Sequence, residues 1–362
     1  MRLIPMDFVR EDHVLAKTIY DDQNRVLLMR GIRLKSSLVS KLKEMGYHSI
    51  YINDEYSTDY IEDIIKPQLR QKAMVTLKSI LSTTSLWTDE NKKKAEVRML
   101  KDKTYKDMAA LKDVTKEIVD ELVISKDVMV SLVDLKSRNS FLFSHSVNVA
   151  ILSLVLGVSM GLNKNELNDL ALGALLHDVG MISVPQEIVD KGLNLNESEW
   201  SIYRQHTRKG YEYLGQLVNM DAHVKIIALE HHEQMDGKGY PLGLRDVQIH
   251  KLSKIVAVTD AYDLLTSSNP MVSPSEALEY IMGNCGSKFD LEIVKNFLKK
   301  IVPYPIGMIV KLSSGDVCIV TAINADFPLR PVLKVIKGSK QNQEINLVHE
   351  QGITISGIQY LV

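Results

Sequence analysis

Five histidines and two aspartates in the middle of the chain are the residues best suited to chemistry. Most of them fall on the apolar side of segments with helical spacing, so the sequence predicts that they face inward. Burying so many polar groups is costly unless each finds a partner. A divalent metal ion would serve them together, because neutral imidazoles and carboxylates suit Fe, Mn or Zn, and Asp178 could bridge two ions. The residues are His145, His177, Asp178, His206, His231, His232 and Asp260, with Asp263 nearby.

Three capped helices are expected to position these side chains. A capping residue followed by an apolar stripe at steps of three and four predicts a helix and its buried face. Asn163 and Glu166 are predicted to cap the helix that leads to His177 and Asp178. Asn196 and Glu199 cap the helix that carries His206, and Asp221 caps the helix that leads to His231.

A glycine-rich segment follows the third of these helices. It consists of Asp236, Gly237, Lys238, Gly239, Tyr240 and Pro241. Glycines allow the close backbone approach that a phosphate or a base needs, so this loop is predicted to shape the mouth of a pocket. A plain turn after a helix explains the loop equally well when it is considered alone.

Composition excludes several classes of protein. The chain has 362 residues, of which 45% are hydrophobic, and 44 basic residues balance 45 acidic ones. A disordered chain and a general DNA- or RNA-binding protein are therefore not expected. Two cysteines without a Cys-x-x-Cys motif exclude a disulfide scaffold and a cysteine zinc site, and they fit a cytoplasmic protein.

The chain is predicted to be mainly α-helical, with a small α+β domain before the helices and a small β unit after them. The predicted parts are residues 1–57, a helical connector at 58–136, a metal-binding helical bundle at 137–300 and the β unit at 301–362. The most apolar stretch, residues 147–162, is too short to span a bilayer and is predicted to be a core helix rather than a membrane insertion.

The two longest motifs resemble those of the HD-GYP family, a branch of the HD-type metal-dependent phosphohydrolases. The resemblance covers about residues 144–297. It rests on His177-Asp178, on His231-His232-Glu233 with Asp236–Pro241, and on the shorter matches at Lys191, Glu199-Trp200, His206, 258–263 and Phe289-Asp290.

This resemblance implies a helical bundle that hydrolyses cyclic di-GMP to pGpG or GMP, with His177 and Asp178 at the catalytic centre. It implies one ion held by His145, His177, Asp178 and Asp260, and another held by Asp178, His206, His231 and His232. Family members with a third ion carry a glutamate where this chain has Phe141. We therefore expect two divalent ions per chain, Fe or Mn.

The chain departs from the family pattern where substrate would be held. Met181 stands in place of a lysine, and residues 269–272 (Asn-Pro-Met-Val) replace an arginine, an aromatic and a basic residue. We therefore expect slow turnover, with Lys209, Lys238 or Lys254 as candidate substitutes for the lost cations.

Two other functions stay open at the level of the sequence. The chain could be a non-catalytic receptor for a cyclic dinucleotide that keeps the metal site. It could instead be an interaction module that contacts a signalling protein. The polar helices of the connector also make a homodimer through these N-terminal helices plausible.

Overall fold

The computed structural model describes most of the chain. The described residues are 2–20, 25–45, 47, 49–54, 57, 65–84, 94–124, 141–192, 194–267, 272–324, 326–339 and 341–359.

The N-terminal unit is a small α+β domain, as the sequence predicts. Its strands pair antiparallel in the order β1-β5-β2, while β3 and β4 form a separate two-stranded pair. Its own small core includes the fully buried side chains of Ile4, Leu15 and Ile52. The sequence also predicts a turn at 21–24 and a helix stop at Gly46, and both lie outside the described residues. The elements are β1 (Arg2–Pro5), β2 (Val14–Leu15), β3 (Ile19–Tyr20), β4 (Val26–Leu28), α1 (Ser36–Glu44) and β5 (Ser49–Asn53).

Two long helices, α2 (Pro67–Thr84) and α3 (Lys94–Ile124), form an antiparallel pair within the predicted connector. Their apolar residues, among them Leu77 and Leu111, belong to the same hydrophobic core as the helices that follow. The pair is therefore part of the bundle, although Val75 and Met99 on its outer side are exposed. The homodimer through these helices stays a prediction.

The rest of the bundle carries the predicted metal ligands. A short 3-10 helix, Val179–Ser183, follows α5, and another, Asp246–Gln248, precedes α9. The helices are α4 (Phe141–Ser159), α5 (Lys164–Leu176), α6 (Gln186–Val189), α7 (Glu197–Gly215), α8 (Ala222–Glu230), α9 (Lys251–Ser267), α10 (Pro274–Gly283) and α11 (Leu291–Lys300).

Helix α4 runs through the middle of the bundle and packs against α2, α5, α9 and α11. Among the described residues, the stretch Leu142–Ser159 is long and apolar enough to cross a membrane by length and composition, but 78% of it is buried inside the structure. This burial fits the core helix predicted from the sequence, since a helix that is apolar on all sides needs neighbours on all sides.

The predicted caps are formed. Asn163 accepts hydrogen bonds from the backbone N–H groups of Asn165 and Glu166, and the Glu166 carboxylate accepts one from Asn163 N–H at 2.8 Å. A second capping box opens α7, and the Asp221 side chain caps α8. These caps fix where α5, α7 and α8 begin, and thus where His177, His206 and His231 lie along them.

The C-terminal unit is a five-stranded antiparallel sheet in the order β10-β6-β7-β8-β9. Short β-rich runs at 308–312, 317–322 and 332–336 predict three strands, and the structure forms them as the inner strands β6 (Ile309–Leu312), β7 (Val317–Ala322) and β8 (Val332–Lys337). The sequence analysis misses the two edge strands, β9 (Glu344–Asn346) and β10 (Ile355–Ile358), whose short segments have little apolar alternation. The fold class, mainly α with small β-containing units at both ends, is confirmed.

Gly180 lets two parts of the bundle approach closely. It follows the His177-Asp178 pair, and a Cβ atom there would lie 1.9 Å from the carbonyl oxygen of His206 and 2.6 Å from the backbone nitrogen of Gly210. Both obstacles are backbone atoms of α7, which cannot move without displacing the helix. The absence of a side chain at residue 180 therefore sets the distance between His177 and His206.

We expect Gly180→Ala to destabilise the protein by about 3 kcal/mol, at the upper end for an overpacked core, because the obstacle on α7 is rigid. Denaturant unfolding followed by circular dichroism measures this. Gly215→Ala is the matched control, since a Cβ there meets nothing within 4 Å and alanine favours a helix. Equal stability of the two variants would contradict the proposed close packing.

Candidate metal centre

The seven predicted ligands come from five helical segments and converge on one point. His145 lies on α4, His206 on α7 and Asp260 on α9, while His177 and Asp178 follow α5, and His231 and His232 follow α8. Most of these side chains are fully buried. Asp178 and His232 keep 13% and 20% of their side-chain surface exposed, so the cluster opens to solvent on one side.

Asp178 lies between two groups of histidines. Its Oδ1 atom is 3.4 Å from His206 Nε2 and 3.7 Å from His231 Nε2, and its Oδ2 atom is 3.4 Å from His177 Nε2. A single carboxylate therefore faces both sides of the cluster. This is the position that a ligand shared by two ions would take.

Asp260 completes the group on the other side. Its Oδ1 atom is 3.0 Å from His145 Nε2 and 3.7 Å from His177 Nε2, and its Oδ2 atom is 3.9 Å from His232 Nδ1. Three overlapping sets each offer ligand atoms within 4.8 Å of one another. They are His145 with His177 and Asp260, His177 with Asp178 and His231, and His206 with His231 and His232.

Backbone carbonyls orient three of the imidazoles. Nδ1 of His177 lies 2.7 Å from Ala174 O, and Nδ1 of His206 lies 2.7 Å from Tyr203 O. His231 makes the same kind of contact with the carbonyls of α8. Since a carbonyl can only accept, Nδ1 carries the proton and Nε2 turns its lone pair toward the cluster. Metal-binding histidines in proteins are usually held in this way.

The cluster fits a divalent cation on chemical grounds. Nε2 of His177 is buried and has no hydrogen-bond partner among the described residues. A buried nitrogen without a partner is destabilising, and a cation bound to its lone pair would supply one. Carboxylates and neutral imidazoles are suitable ligands for Fe, Mn and Zn, so these residues can bind metal.

The acid–base properties of the cluster also suit metal binding. Burial disfavours the imidazolium and lowers the pKa of His206 to about 4, and burial together with His231 lowers the pKa of His232. Burial opposes ionisation of Asp178 and Asp260, but the neighbouring histidines outweigh it and hold both pKa values well below the usual range. Near neutral pH His206 and His232 are therefore uncharged beside ionised carboxylates, the forms that bind metal. Although burial opposes it, Asp260 and Asp263 raise the pKa of His145 to about 8, and Asp178 with Asp260 raises that of His177, so a metal ion would displace a proton from these two rings.

The open side of the cluster is lined by aromatic rings and one cation. The Tyr240 ring lies 4.8 Å from the His232 ring, and the Tyr203 ring contacts the edge of His206 at 5.1 Å. The exposed Arg204 guanidinium lies 5.2 Å from the Tyr240 ring and 5.6 Å from that of Trp200. This places a positive charge beside the entrance, a feature that sequence reasoning missed.

The glycine-rich loop folds back over the histidines. Tyr240 N–H donates to His232 O at 3.2 Å, and a Cβ at Gly239 would lie 2.4 Å from Gln234 N. The buried Glu233 carboxylate accepts from the N–H groups of Leu242 and Leu244 at 2.7 and 2.9 Å, which ties down the end of the loop. Tyr240 therefore lies beside the ligand cluster, and the role of the loop as a substrate contact stays a prediction.

The other predicted substrate contacts are exposed or form ion pairs within the chain. Asp236 and Lys238 pair with each other at 3.3 Å, and the Lys238 side chain is 82% exposed. Lys254 pairs with Asp246 and Asp290 at 3.3 and 3.4 Å. The charge of Lys254 is thus balanced inside the chain, and its role as a substrate contact stays a prediction, as does that of the exposed Lys209.

Of the two departures from the family pattern, the structure describes Met181 but not most of residues 269–272. Met181 is buried in a small apolar cluster with Val184 and Ile188, against which Tyr203 packs. Residues 269–271 lie outside the described residues.

A second layer of polar residues lies behind His145, and the sequence analysis pointed to Asp263 in it but missed Asn148. Asp263 Oδ2 accepts from His145 Nδ1–H at 2.7 Å, and Asp263 Oδ1 accepts from Asn148 Nδ2 at 2.8 Å. One signal was available, because His145 and Asn148, like Asp260 and Asp263, are three residues apart and so share a helix face.

Comparison with known proteins identifies the domain. The HD domain family matches residues 131–293. A cyclic di-GMP phosphodiesterase from Pseudomonas aeruginosa is 32% identical over 241 residues, which are 66% of this chain and 58% of that protein. A 3'3'-cGAMP-specific phosphodiesterase from Vibrio cholerae is 38% identical over 42% of this chain and 35% of its own length. The chain thus spans less than two thirds of these relatives.

One further curated relative and one solved structure are also similar to this chain. The cyclic di-GMP phosphodiesterase response regulator RpfG from Xanthomonas campestris is 37% identical over 144 residues, or 39% of this chain and 38% of that protein. Among solved structures, an HDG"Y"P protein from Bdellovibrio bacteriovorus aligns with 82% of this chain and 97% of that one, at 18% identity and a TM-score of 0.46. Residues 131–293 thus form an HD domain, and its motifs and curated relatives support the HD-GYP resemblance seen in the sequence.

Proposed function

We propose that this chain is a cytoplasmic, metal-dependent phosphodiesterase that opens cyclic dinucleotides, with cyclic di-GMP as its substrate and pGpG or GMP as product. The observation that carries the proposal is the convergence of five imidazoles and two carboxylates at one partly open point. The curated relatives named for cyclic di-GMP and 3'3'-cGAMP support this class of substrate.

The proposal includes two ions per chain, Fe or Mn, for which these imidazoles and carboxylates are suitable ligands. His145, His177, Asp178 and Asp260 would hold one ion, and Asp178, His206, His231 and His232 the other. Bound there, two divalent ions supply an activated water and neutralise the charge that develops on the phosphoryl oxygens.

The side chains around the ions would position the substrate. Burial and the nearby carboxylates Asp178 and Asp260 raise the pKa of Tyr203, and burial with neighbouring Tyr203 and Asp260 raises that of Tyr240. Both phenols therefore stay protonated and can donate hydrogen bonds to a phosphate oxygen. Tyr240 also presents a ring face on which a base can stack. Arg204 at the entrance supplies a cation for the phosphodiester.

A non-catalytic receptor is the second candidate, and the surroundings of Met181 favour it. Its thioether packs in an apolar cluster, so no ammonium is available where the family has lysine. A lysine beside a scissile phosphate stabilises the transition state by several kcal/mol when it is present, and its loss slows hydrolysis more than binding. We therefore expect slow turnover by the phosphodiesterase. The receptor function predicts nucleotide binding without any turnover.

Asp178→Asn tests the shared carboxylate. We expect metal content, measured by elemental analysis after anaerobic loading with Mn or Fe, to fall below the two ions per chain of the wild type. Hydrolysis of cyclic di-GMP, followed by chromatography of the product, should fall about 100-fold or more, since even outer-shell partners of metal ligands contribute up to that factor.

Asp169→Asn is the matched control for this variant. Asp169 is also on α5 but pairs with the exposed His223 at 3.0 Å. Its metal content and turnover should equal those of the wild type. Full turnover by Asp178→Asn would refute the proposed centre, and tight nucleotide binding without turnover by metal-loaded wild type would select the receptor.

Arg204→Ala tests the cation at the entrance. A hydrogen bond to a charged group contributes about 1.5–3 kcal/mol, so we expect KM for cyclic di-GMP to rise about tenfold or more while kcat changes much less. Steady-state kinetics of product formation measure both constants. Arg208→Ala, one turn further along the exposed side of α7, should leave KM unchanged. A similar KM for both variants would show that Arg204 does not contact the substrate.

A further inference from the structure

A chain of hydrogen bonds joins helix α2 to the candidate metal centre. Arg70 on α2 donates from Nη2 to the side-chain oxygen of Asn148 on α4. The Asn148 amide donates to Asp263 Oδ1 at 2.8 Å, and Asp263 Oδ2 accepts from His145 Nδ1–H at 2.7 Å. The other nitrogen of His145 lies 3.0 Å from Asp260. The relay therefore ends at the ligand cluster itself.

Burial makes this relay rigid. Asn148, Asp263 and His145 expose only 1%, 3% and 1% of their surface, so water does not compete for their hydrogen bonds. In such surroundings hydrogen bonds polarise one another, and one with a charged donor is about twice as strong as a neutral one. Arg70 thus fixes which way the Asn148 amide points, and that amide holds the carboxylate that orients the His145 ring.

The arginine comes from outside the matched domain. The HD domain match covers residues 131–293, whereas Arg70 lies in the N-terminal half of the chain. Helix α2 packs against α4 next to the relay, and residues such as Ala73 and Leu77 on α2 are buried in the shared core. The N-terminal helices thus contribute a polar contact to the site in addition to apolar packing.

We infer that Arg70 is a positioning residue of the metal centre, which sets the orientation of His145 through Asn148 and Asp263. This inference rests on the proposed function of His145 as a metal ligand. It follows that the metal affinity of the centre depends on where α2 lies, because a shift of α2 that breaks the contact with Asn148 releases the His145 ring.

The test measures Co²⁺ binding and the visible absorption of the Co²⁺-loaded full-length protein, which reports the geometry of the ligands without any hydrolysis. We expect Arg70→Gln to weaken Co²⁺ affinity about tenfold, the lower end for outer-shell partners, and to change the absorption spectrum. Arg70→Lys restores a charged donor without the planar fork, so its affinity should lie between those of the wild type and Arg70→Gln.

Lys72→Gln is the matched control. Lys72 lies two residues further along α2 and pairs with Glu117 of α3 at 3.1 Å, away from the relay. Its Co²⁺ affinity and spectrum should match those of the wild type. The inference would be overturned if Arg70→Gln and Lys72→Gln had the same Co²⁺ affinity. If that shared affinity were lower than the wild-type value, the loss would indicate general loosening of α2. If Arg70→Gln does not fold, an Arg70→Lys affinity and spectrum identical to wild type overturn it.

The two proposals fail in distinguishable ways. If the wild type binds Co²⁺ but does not hydrolyse cyclic di-GMP, the phosphodiesterase proposal is wrong. The positioning role of Arg70 is then still decided by the Co²⁺ affinities of the variants. Hydrolysis by a wild type whose Co²⁺ binding is unaffected by Arg70→Gln removes the positioning role alone. A wild type that binds no metal removes both.

Discussion

The structure depends on two buried carboxylates that share their space with five imidazoles. Asp178 and Asp260 are ionised inside the bundle, where an uncompensated charge would be severely destabilising. The surrounding nitrogens compensate them only in part, since Nε2 of His177 has no hydrogen-bond partner among the described residues. A centre of this kind stabilises the fold most when cations are bound, because each ion satisfies several buried groups together.

The helices hold the ligands mainly through their ends. His177 and His231 are the C-cap residues of α5 and α8, and each ring donates to a carbonyl of the last turn of its helix. Helix ends leave such carbonyls unsatisfied, so the same contact completes the helix and orients the ligand. The close approach at Gly180 then fixes the distance between the end of α5 and α7.

The N-terminal helices take part in this arrangement. Helices α2 and α3 share one hydrophobic core with the HD domain, and Arg70 reaches the layer behind His145. A change that moves α2 would therefore reach the candidate metal centre through the hydrogen bonds of Asn148 and Asp263. The entrance, by contrast, is built within the domain from Tyr240, Arg204 and Trp200.

The sequence alone determined the ligand types, the helix caps and the glycine-rich loop, because these depend on residue identity and on spacing within one helix or turn. The capping boxes at Asn163 and Asn196 and the inward-facing histidines illustrate this. Only the tertiary structure decided the contacts of Arg70 with Asn148 and of His145 with Asp263, which join residues 78 and 118 positions apart. Local periodicity does not predict such pairs, because only the packing of helices brings these residues together.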